Sequence, residues 1–120
     1  FLERNEVCRL ATSFEDKPHV VPVCYIFKDN KFYIVTDFGT KKLRNVKRNK
    51  NVSLVIDVYR PNKAVMIEGE CEILEKGKEF KDMSNLFFKK FDWVRADPWE
   101  EGEAAILKII PKKKVSWGIR

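Results

Sequence analysis

Residue types and patterns that mark several functional classes are scarce in this sequence. It contains one histidine, His19, which argues against a Ser-His-Asp triad and against a histidine-based metal site. Its three cysteines, Cys8, Cys24 and Cys71, show no CxxC spacing, so we expect free thiols in a reducing cytoplasm, with no disulfide and no metal. No apolar run approaches the roughly 18 residues of a membrane span. We therefore expect no membrane association.

Acidic residues are outnumbered by basic ones, which gives a net charge of +6 and a pI of about 9.3. Such a balance is compatible with nucleic-acid binding. However, the basic residues are spread along the chain apart from clusters at 41–50 and 112–114, and no zinc-finger, RNP-like or helix-turn-helix signature accompanies them. An anionic small molecule explains the charge placement at least as well, so we expect no nucleic-acid partner.

The 120 residues suit one domain, 1–120, and Phe1 suggests that the chain begins inside a longer native one. Apolar patterns predict strands over 7–14, 19–27, 31–36, 51–59, 64–73, 103–110 and 114–119. Helices are predicted over 40–49 and, with an amphipathic pattern, over 77–91, with a loop over 92–102 and the tail of a helix at 1–5. Asp29-Asn30 predicts a two-residue hairpin turn before the third strand. Strands outnumber helices and short turns join them, which favours an antiparallel barrel over a parallel sheet.

Two of the predicted strands carry further information. The strand over 19–27 is apolar on both faces except at His19, so one face should meet a barrel interior and the other a second surface. The strand over 64–73 alternates between apolar residues and the acids Glu68, Glu70 and Glu72, which predicts one dry and one wet face. Gly69 in this strand predicts a bend or a close backbone approach.

The stretch FYIVTDFGTKKLRNVKRN, residues 32–49, predicts a strand, a turn and a basic helix that opens at the N-cap residue Thr40. The helix then begins with Lys41 and Lys42, although the helix dipole disfavours cations there. The capping-box position holds Leu43 instead of Glu or Gln. Free N–H groups and two ammonium groups at one point suit a bound anion, and phosphate is the usual one. A solvated basic helix is the alternative, and these residues alone leave both open.

The order RLAT (9–12), PHVVPVCY (18–25), YIVT (33–36) and GTKKLRNVKRNKNVSLVI (39–56) resembles the pyridoxamine 5'-phosphate oxidase-like, FMN-binding split β-barrel proteins. The resemblance continues through VMIEGECEIL (65–74) to Trp117 and is weak only between about 79 and 103. Its most specific part is T-x-x-x-S/T-x-K-x-x-N, here Thr36, Thr40, Lys42 and Asn45. It implies a mostly β fold, an antiparallel split β-barrel of six or seven strands with two or three short helices, and a homodimer.

The resemblance also implies which residues contact the flavin. Basic and hydroxyl side chains would surround its phosphate, the backbone of 22–25 would border its ring, and a tryptophan would approach from the partner subunit. The implied cofactor-binding residues are Arg9, Leu10, Pro22, Val23, Cys24, Tyr25, Val35, Thr36, Thr40, Lys41, Lys42 and Trp117. No catalytic side chain is identified.

Three of these assignments, and one further residue, His19, have structural alternatives. Arg9 could be a strand-surface arginine, and Lys41 could point to solvent. Trp117 could plug the barrel end or a dimer interface. His19 could face the substrate side of the flavin or be a structural histidine.

The activity implied by the resemblance is that of an oxidoreductase that acts on a small planar substrate at FMN held at a dimer interface. Pyridoxamine 5'-phosphate oxidase itself continues past its tryptophan into a basic segment, whereas this sequence ends at Arg120, and Ala64 stands where that enzyme has a flavin-contacting Gln. We therefore expect a different flavoprotein. The alternatives are a deazaflavin-dependent reductase, whose cofactor has a longer tail that needs an extended basic groove, and a non-catalytic flavin-binding protein. The basic residues of the predicted helix could serve either cofactor: Lys41, Lys42, Arg44, Lys47 and Arg48.

Overall fold

A computed structural model describes residues 1–119, which form one seven-stranded sheet and three helices. The elements are β1 (Val7–Phe14), β2 (Lys17–Cys24), β3 (Ile26–Lys28), β4 (Lys31–Asp37), α1 (Lys41–Arg48), β5 (Asn51–Val58), β6 (Lys63–Leu74), α2 (Lys78–Lys90), α3 (Asp92–Ala96) and β7 (Ala104–Trp117). The strand order is β2-β1-β5-β6-β7-β4-β3, and all six pairings are antiparallel. The sheet curls into a half-barrel, which confirms the predicted fold class.

Two-residue turns fix the register of two hairpins. Glu15-Asp16 and Asp29-Asn30 both have positive φ values, 52° and 62° in each turn, as a two-residue turn of matching twist requires. The hairpin predicted at Asp29-Asn30 is therefore confirmed. The first turn is shorter than predicted, because β2 already begins at Lys17.

The inner face of the curled sheet forms the main core. Alternate residues of β1, β4, β5, β6 and β7 point into it, and Leu43 and Val46 of α1 pack against the same cluster. Helix α1 thereby closes one end of the barrel, beside the carboxyl end of β4. Asn45 brings its polar side chain into this packing, and its Nδ2 donates a hydrogen bond to Thr12 Oγ1 at 3.0 Å, with both residues buried.

Helix α2 covers one part of the outer face of the sheet. Phe80, Met83 and Phe87 of this predicted amphipathic helix are buried against outer-face residues of β3, β4 and β7. Glu79 fixes the position of the helix, because it accepts a hydrogen bond from the Tyr33 hydroxyl at 2.9 Å and lies 2.9 Å from Lys108 Nζ.

In the part of the chain that the structure describes, the rest of the outer face carries no helix, and it is called the open face below. It is formed by β2, β1, β5, the first half of β6 and the last residues of β7. One row across it, in register, is Pro22, Arg9, Val55, Met66 and Val115. Large apolar side chains on this face are exposed, among them Val20 at 64% and Trp117 at 44%.

Three of the predicted elements are wrong. Two of them are short segments, and the third lies where the chain changes the strand with which it pairs. Residues 1–5 form a turn and not the end of a helix, closed by a hydrogen bond from Asn5 N to Phe1 O at 3.2 Å. The strand predicted over 19–27 is divided at Tyr25, whose N–H bonds to Glu6 O, because the chain there exchanges β1 for β4 as its partner. The loop predicted over 92–102 contains the five-residue helix α3.

The two strands predicted on either side of Pro111 are one strand, β7. The pairing of β6 with β7 shifts between Glu68 and Gly69, which places Pro111 at a bulge, where its missing N–H is tolerated. The close approach predicted at Gly69 is confirmed, because a Cβ there would lie 2.4 Å from the carbonyl oxygen of Ile110. The dry and wet faces of β6 are also as predicted, except that Ala64, which lies on the same side as the three acids, is fully buried.

Candidate functional site

A pocket of about 390 Å³ lies where β4 ends and α1 begins. We call it the helix-start pocket. Its lining residues come from β4, α1, α3 and the segment before β7: Val35, Thr36, Asp37, Thr40, Lys42, Trp93, Asp97, Pro98, Trp99 and Glu103. It brings together four of the predicted cofactor residues, namely Val35, Thr36, Thr40 and Lys42.

Two other hollows are larger but contain none of the predicted cofactor residues. One, of about 600 Å³, is a shallow depression on the open face. The other, of about 640 Å³, lies beside residues 1–5. The helix-start pocket is therefore the candidate site, although it is not the largest hollow.

Hydroxyl groups organise the start of α1. Leu43 N donates to Thr40 Oγ1 at 3.4 Å, so Thr40 is the N-cap as predicted. The hydroxyl oxygens of Thr36 and Thr40 are 2.8 Å apart, and both hydroxyls lie within hydrogen-bond distance of Asp37 O. The first helical N–H groups have no intrahelical acceptor, and the first turn contains no acidic residue. This end of α1 is consequently suited to an anion.

Lys42 is the cationic side chain of the pocket. It is half-buried, and this burial lowers the pKa of its ammonium group, with the charge of Asp37 opposing the shift. Lys42 forms no ion pair with the described acidic residues. A bound anion would compensate for the hydration that Lys42 has lost. Lys41, in contrast, is exposed and does not line the pocket.

The rest of the lining is acidic and aromatic. Asp37, Asp97 and Glu103 place three exposed carboxylates around the pocket. The indole rings of Trp93 and Trp99 stack with centroids 6.5 Å apart, and Trp99 Nε1 donates to Ser84 Oγ at 3.1 Å. A flat ligand could pack on this aromatic wall. Neither tryptophan was predicted from the sequence as a site residue. The only signal for them was the occurrence of two tryptophans within a short acidic segment.

The remaining predicted cofactor residues lie outside this pocket. Arg9 is on the open face, where its 53% exposed side chain is ion-paired with Asp57. Trp117 is at the end of β7 and donates from Nε1 to Asn62 Oδ1 at 3.2 Å. The other five are placed as follows: Leu10 and Tyr25 are buried in the core, Val23 packs against it, Pro22 is exposed, and Cys24 is half-buried.

Histidine and cysteine do not build a second site among the described residues. His19 lies on β2 opposite Thr12 and does not line the helix-start pocket, and its buried Nδ1 has no hydrogen-bond partner among the described residues. The cysteines are free thiols, and burial raises the pKa of Cys8 and Cys71 to about 12. Residues 1–119 contain no cluster of three side chains that could hold a metal, and none of their helices is long and apolar enough to cross a membrane.

The sequence and the structure were compared with those of known proteins. The sequence model of a family described as pyridoxamine 5'-phosphate oxidase matches residues 1–117. A search of curated proteins found no match. Among solved structures, a candidate pyridoxamine 5'-phosphate oxidase from Listeria innocua is 19% identical, with a TM-score of 0.81, over 98% of this chain and 93% of that one.

Two further solved structures are similar. A FAD-binding protein from Mesorhizobium loti is 24% identical, with a TM-score of 0.79, over 96% of this chain and 87% of its own. A heme storage protein from Vibrio cholerae is 11% identical, with a TM-score of 0.82, over 93% of this chain and 86% of its own. At these identities the structural likenesses establish the fold alone.

Proposed function

The chain belongs to the pyridoxamine 5'-phosphate oxidase family, and on that premise we propose that it is a flavoprotein that binds FMN in the helix-start pocket. The observation that carries the proposal is Lys42. It is a half-buried ammonium that forms no ion pair with the described acidic residues, placed beside the free N–H groups of a helix start. Phosphate is the anion that such a combination suits best.

The residues present fit the parts of FMN unequally. Lys42 and the first N–H groups of α1 would hold the phosphate, with the hydroxyls of Thr36 and Thr40 beside it. The three carboxylates weaken this site for a dianion, but carboxylates are good acceptors for the hydroxyl groups of the ribityl chain. Trp93 offers a flat apolar surface to the ring. When bound, the flavin supplies hydride or electron transfer, and the chain supplies position and electrostatics.

The open face would pair with a second copy of the chain. Val20 and Trp117 are exposed there, and contiguous apolar area on a small domain is typical of an interface. In the proposed dimer, Trp117 of each subunit would approach the flavin site of the other. Sedimentation at micromolar concentration should show a dimer, and a monomer alone would contradict this part of the proposal.

The proposed reaction is the reduction or oxidation of a small planar substrate, in the reducing cytoplasm that three free thiols suit. A deazaflavin is the second candidate, because the exposed Lys41, Arg44 and Lys47 extend the positive charge along α1 beyond the pocket. A non-catalytic flavin-binding protein would need the same pocket. Haem, which the Vibrio cholerae protein stores, is less well supported, since the one histidine does not line the pocket.

Cofactor identification tests the proposal. The purified protein should absorb at flavin wavelengths, and mass spectrometry of the material released on denaturation should give FMN. Cofactor-free protein should then be titrated with FMN, riboflavin, a deazaflavin and haemin. Binding of FMN at one per chain supports the proposal. A preference for haemin, or no flavin binding at 100-fold excess, would reject it, and a tighter complex with the deazaflavin would favour the second candidate.

A further inference from the structure

A second pocket, of about 180 Å³, lies at the opposite end of the barrel, and we call it the lysine-rim pocket. Its floor is formed by Phe32 and Ile67, which are at most 2% exposed. Its walls and rim are Leu2, Phe27, Asn30, Pro111, Lys112, Lys113 and Lys114. Phe32 begins β4 where Thr36 nearly ends it, which separates the two pockets by about 13 Å along the strand. The lysine-rim pocket is therefore independent of the proposed flavin site.

The bulge in β7 determines how the three lysines face. Lys114 pairs with Ile67, whose side chain points into the barrel, so Lys114 lies on the interior side of the sheet. Lys113 pairs with Glu68 and lies on the outer side. Lys112 is the extra residue at the bulge, directly after Pro111. Lys112 and Lys114 consequently flank the mouth of the pocket.

The charge at this mouth is unbalanced. None of Lys112, Lys113 and Lys114 forms an ion pair with a described acidic residue. Lys112 and Lys114 place two ammonium groups at one mouth, where they repel each other. An anion at the mouth would relieve this repulsion, and the amide of Asn30 offers a further donor at the rim.

We propose that the lysine-rim pocket binds a small aromatic monocarboxylate. The apolar interior suits a ring, because the partly exposed Phe27 lies in its wall and packs on the buried Phe32, with ring centroids 4.9 Å apart. The volume is below the roughly 300 Å³ of sites for drug-sized ligands, so the ligand has on the order of ten non-hydrogen atoms. Its carboxylate is held at the mouth by Lys112 and Lys114.

Titration with benzoate, followed by amide chemical shifts of the labelled full chain, tests this proposal. Benzamide is the uncharged control of the same shape, and decanoate tests whether a long acyl chain is preferred. We expect benzoate to bind with a Kd of about 0.1–1 mM, with shifts centred on Phe27, Ile67 and Lys114, and to bind at least 10-fold more tightly than benzamide or decanoate.

Charge-matched double variants locate the interaction. Lys112→Ala with Lys114→Ala should weaken benzoate binding at least 10-fold and leave benzamide binding unchanged, without lowering the thermal midpoint. Lys47→Ala with Lys81→Ala removes the same charge from exposed sites outside the pocket and should change neither. Equal binding of benzoate and benzamide, tighter binding of decanoate, shifts centred elsewhere, or equal weakening by both double variants would overturn the proposal.

Discussion

Replacing Lys42 by alanine distinguishes a phosphate site from a solvated basic helix. In the helix-start pocket the ammonium is half-buried and unpaired among described residues, so its bond to a phosphate oxygen would be charge-assisted and partly desolvated. Such a hydrogen bond contributes roughly 1.5–3 kcal/mol. Since 1.4 kcal/mol is a factor of ten, Lys42→Ala should weaken FMN binding by about 10- to 150-fold.

Fluorescence titration of cofactor-free protein measures this effect, and two controls make it specific. Riboflavin lacks the phosphate, so its weaker binding should hardly change in Lys42→Ala. Lys41→Ala removes the same charge from the neighbouring exposed residue, which does not line the pocket, and should weaken FMN by less than about threefold, as expected for a screened surface charge.

The cofactor-free Lys42→Ala variant should be as stable as the wild type or slightly more stable. The substitution removes a cation from the positive end of the helix dipole, where it costs a few tenths of a kcal/mol. Equal FMN affinity for the wild type and Lys42→Ala would refute the phosphate site, and equal losses for FMN and riboflavin would show that the variant disturbs the pocket as a whole.

Three further predictions concern the fold and its thiols. Gly69→Ala should lower the free energy of unfolding, measured by urea denaturation, by about 1–3 kcal/mol or more, because the added Cβ would lie 2.4 Å from a backbone carbonyl oxygen. Gly77→Ala is the control, because its Cβ would face open space and the variant would bear only the strain of its positive φ. Hydrogen bonds from Lys108 and Tyr33 hold the pKa of the Glu79 carboxyl below its ordinary value of 4.5. Glu79 therefore stabilises the fold at neutral pH, and this contribution is lost as the pH falls through its folded pKa. Glu79→Gln should therefore cost about 0.2–1 kcal/mol at pH 7, given the exposure of the pair, and nothing at acidic pH, as thermal melts across pH would show. An aromatic disulfide reagent should react first with Cys24, the least buried thiol, and with all three cysteines only after denaturation; rapid reaction of three thiols in the native protein would contradict the burial described above.

Local signals predicted the elements that depend on a few neighbouring residues. The cap at Thr40 and the turn at Asp29-Asn30 follow from side-chain and backbone preferences within four residues, and both occur as predicted. The single strand β7 could not be predicted in this way. Pro111 interrupts its pattern, and only the bulge opposite Gly69, a property of two strands together, makes a continuous strand possible.

The same distinction holds for the candidate site. Thr36, Thr40 and Lys42 lie within one strand-turn-helix segment, so a short sequence pattern sufficed to group them. Trp93 joins them through the packing of α2 and α3 on the sheet, which no local pattern contains. Arg9 was predicted from the order of motifs along the chain, but its side chain does not line the pocket and is ion-paired with Asp57 instead.

The open face contains both the exposed side of β2 and the Arg9–Asp57 ion pair. One side of β2 packs toward the barrel interior, as its apolar pattern predicts, while Val20 and Pro22 on its other side are exposed. If a second copy covers this face, the exposed Arg9–Asp57 pair becomes buried inside an apolar interface. A buried pair adds little net affinity but strongly penalises any arrangement that leaves one charge unpaired. Arg9 would then act on the alignment of the two subunits.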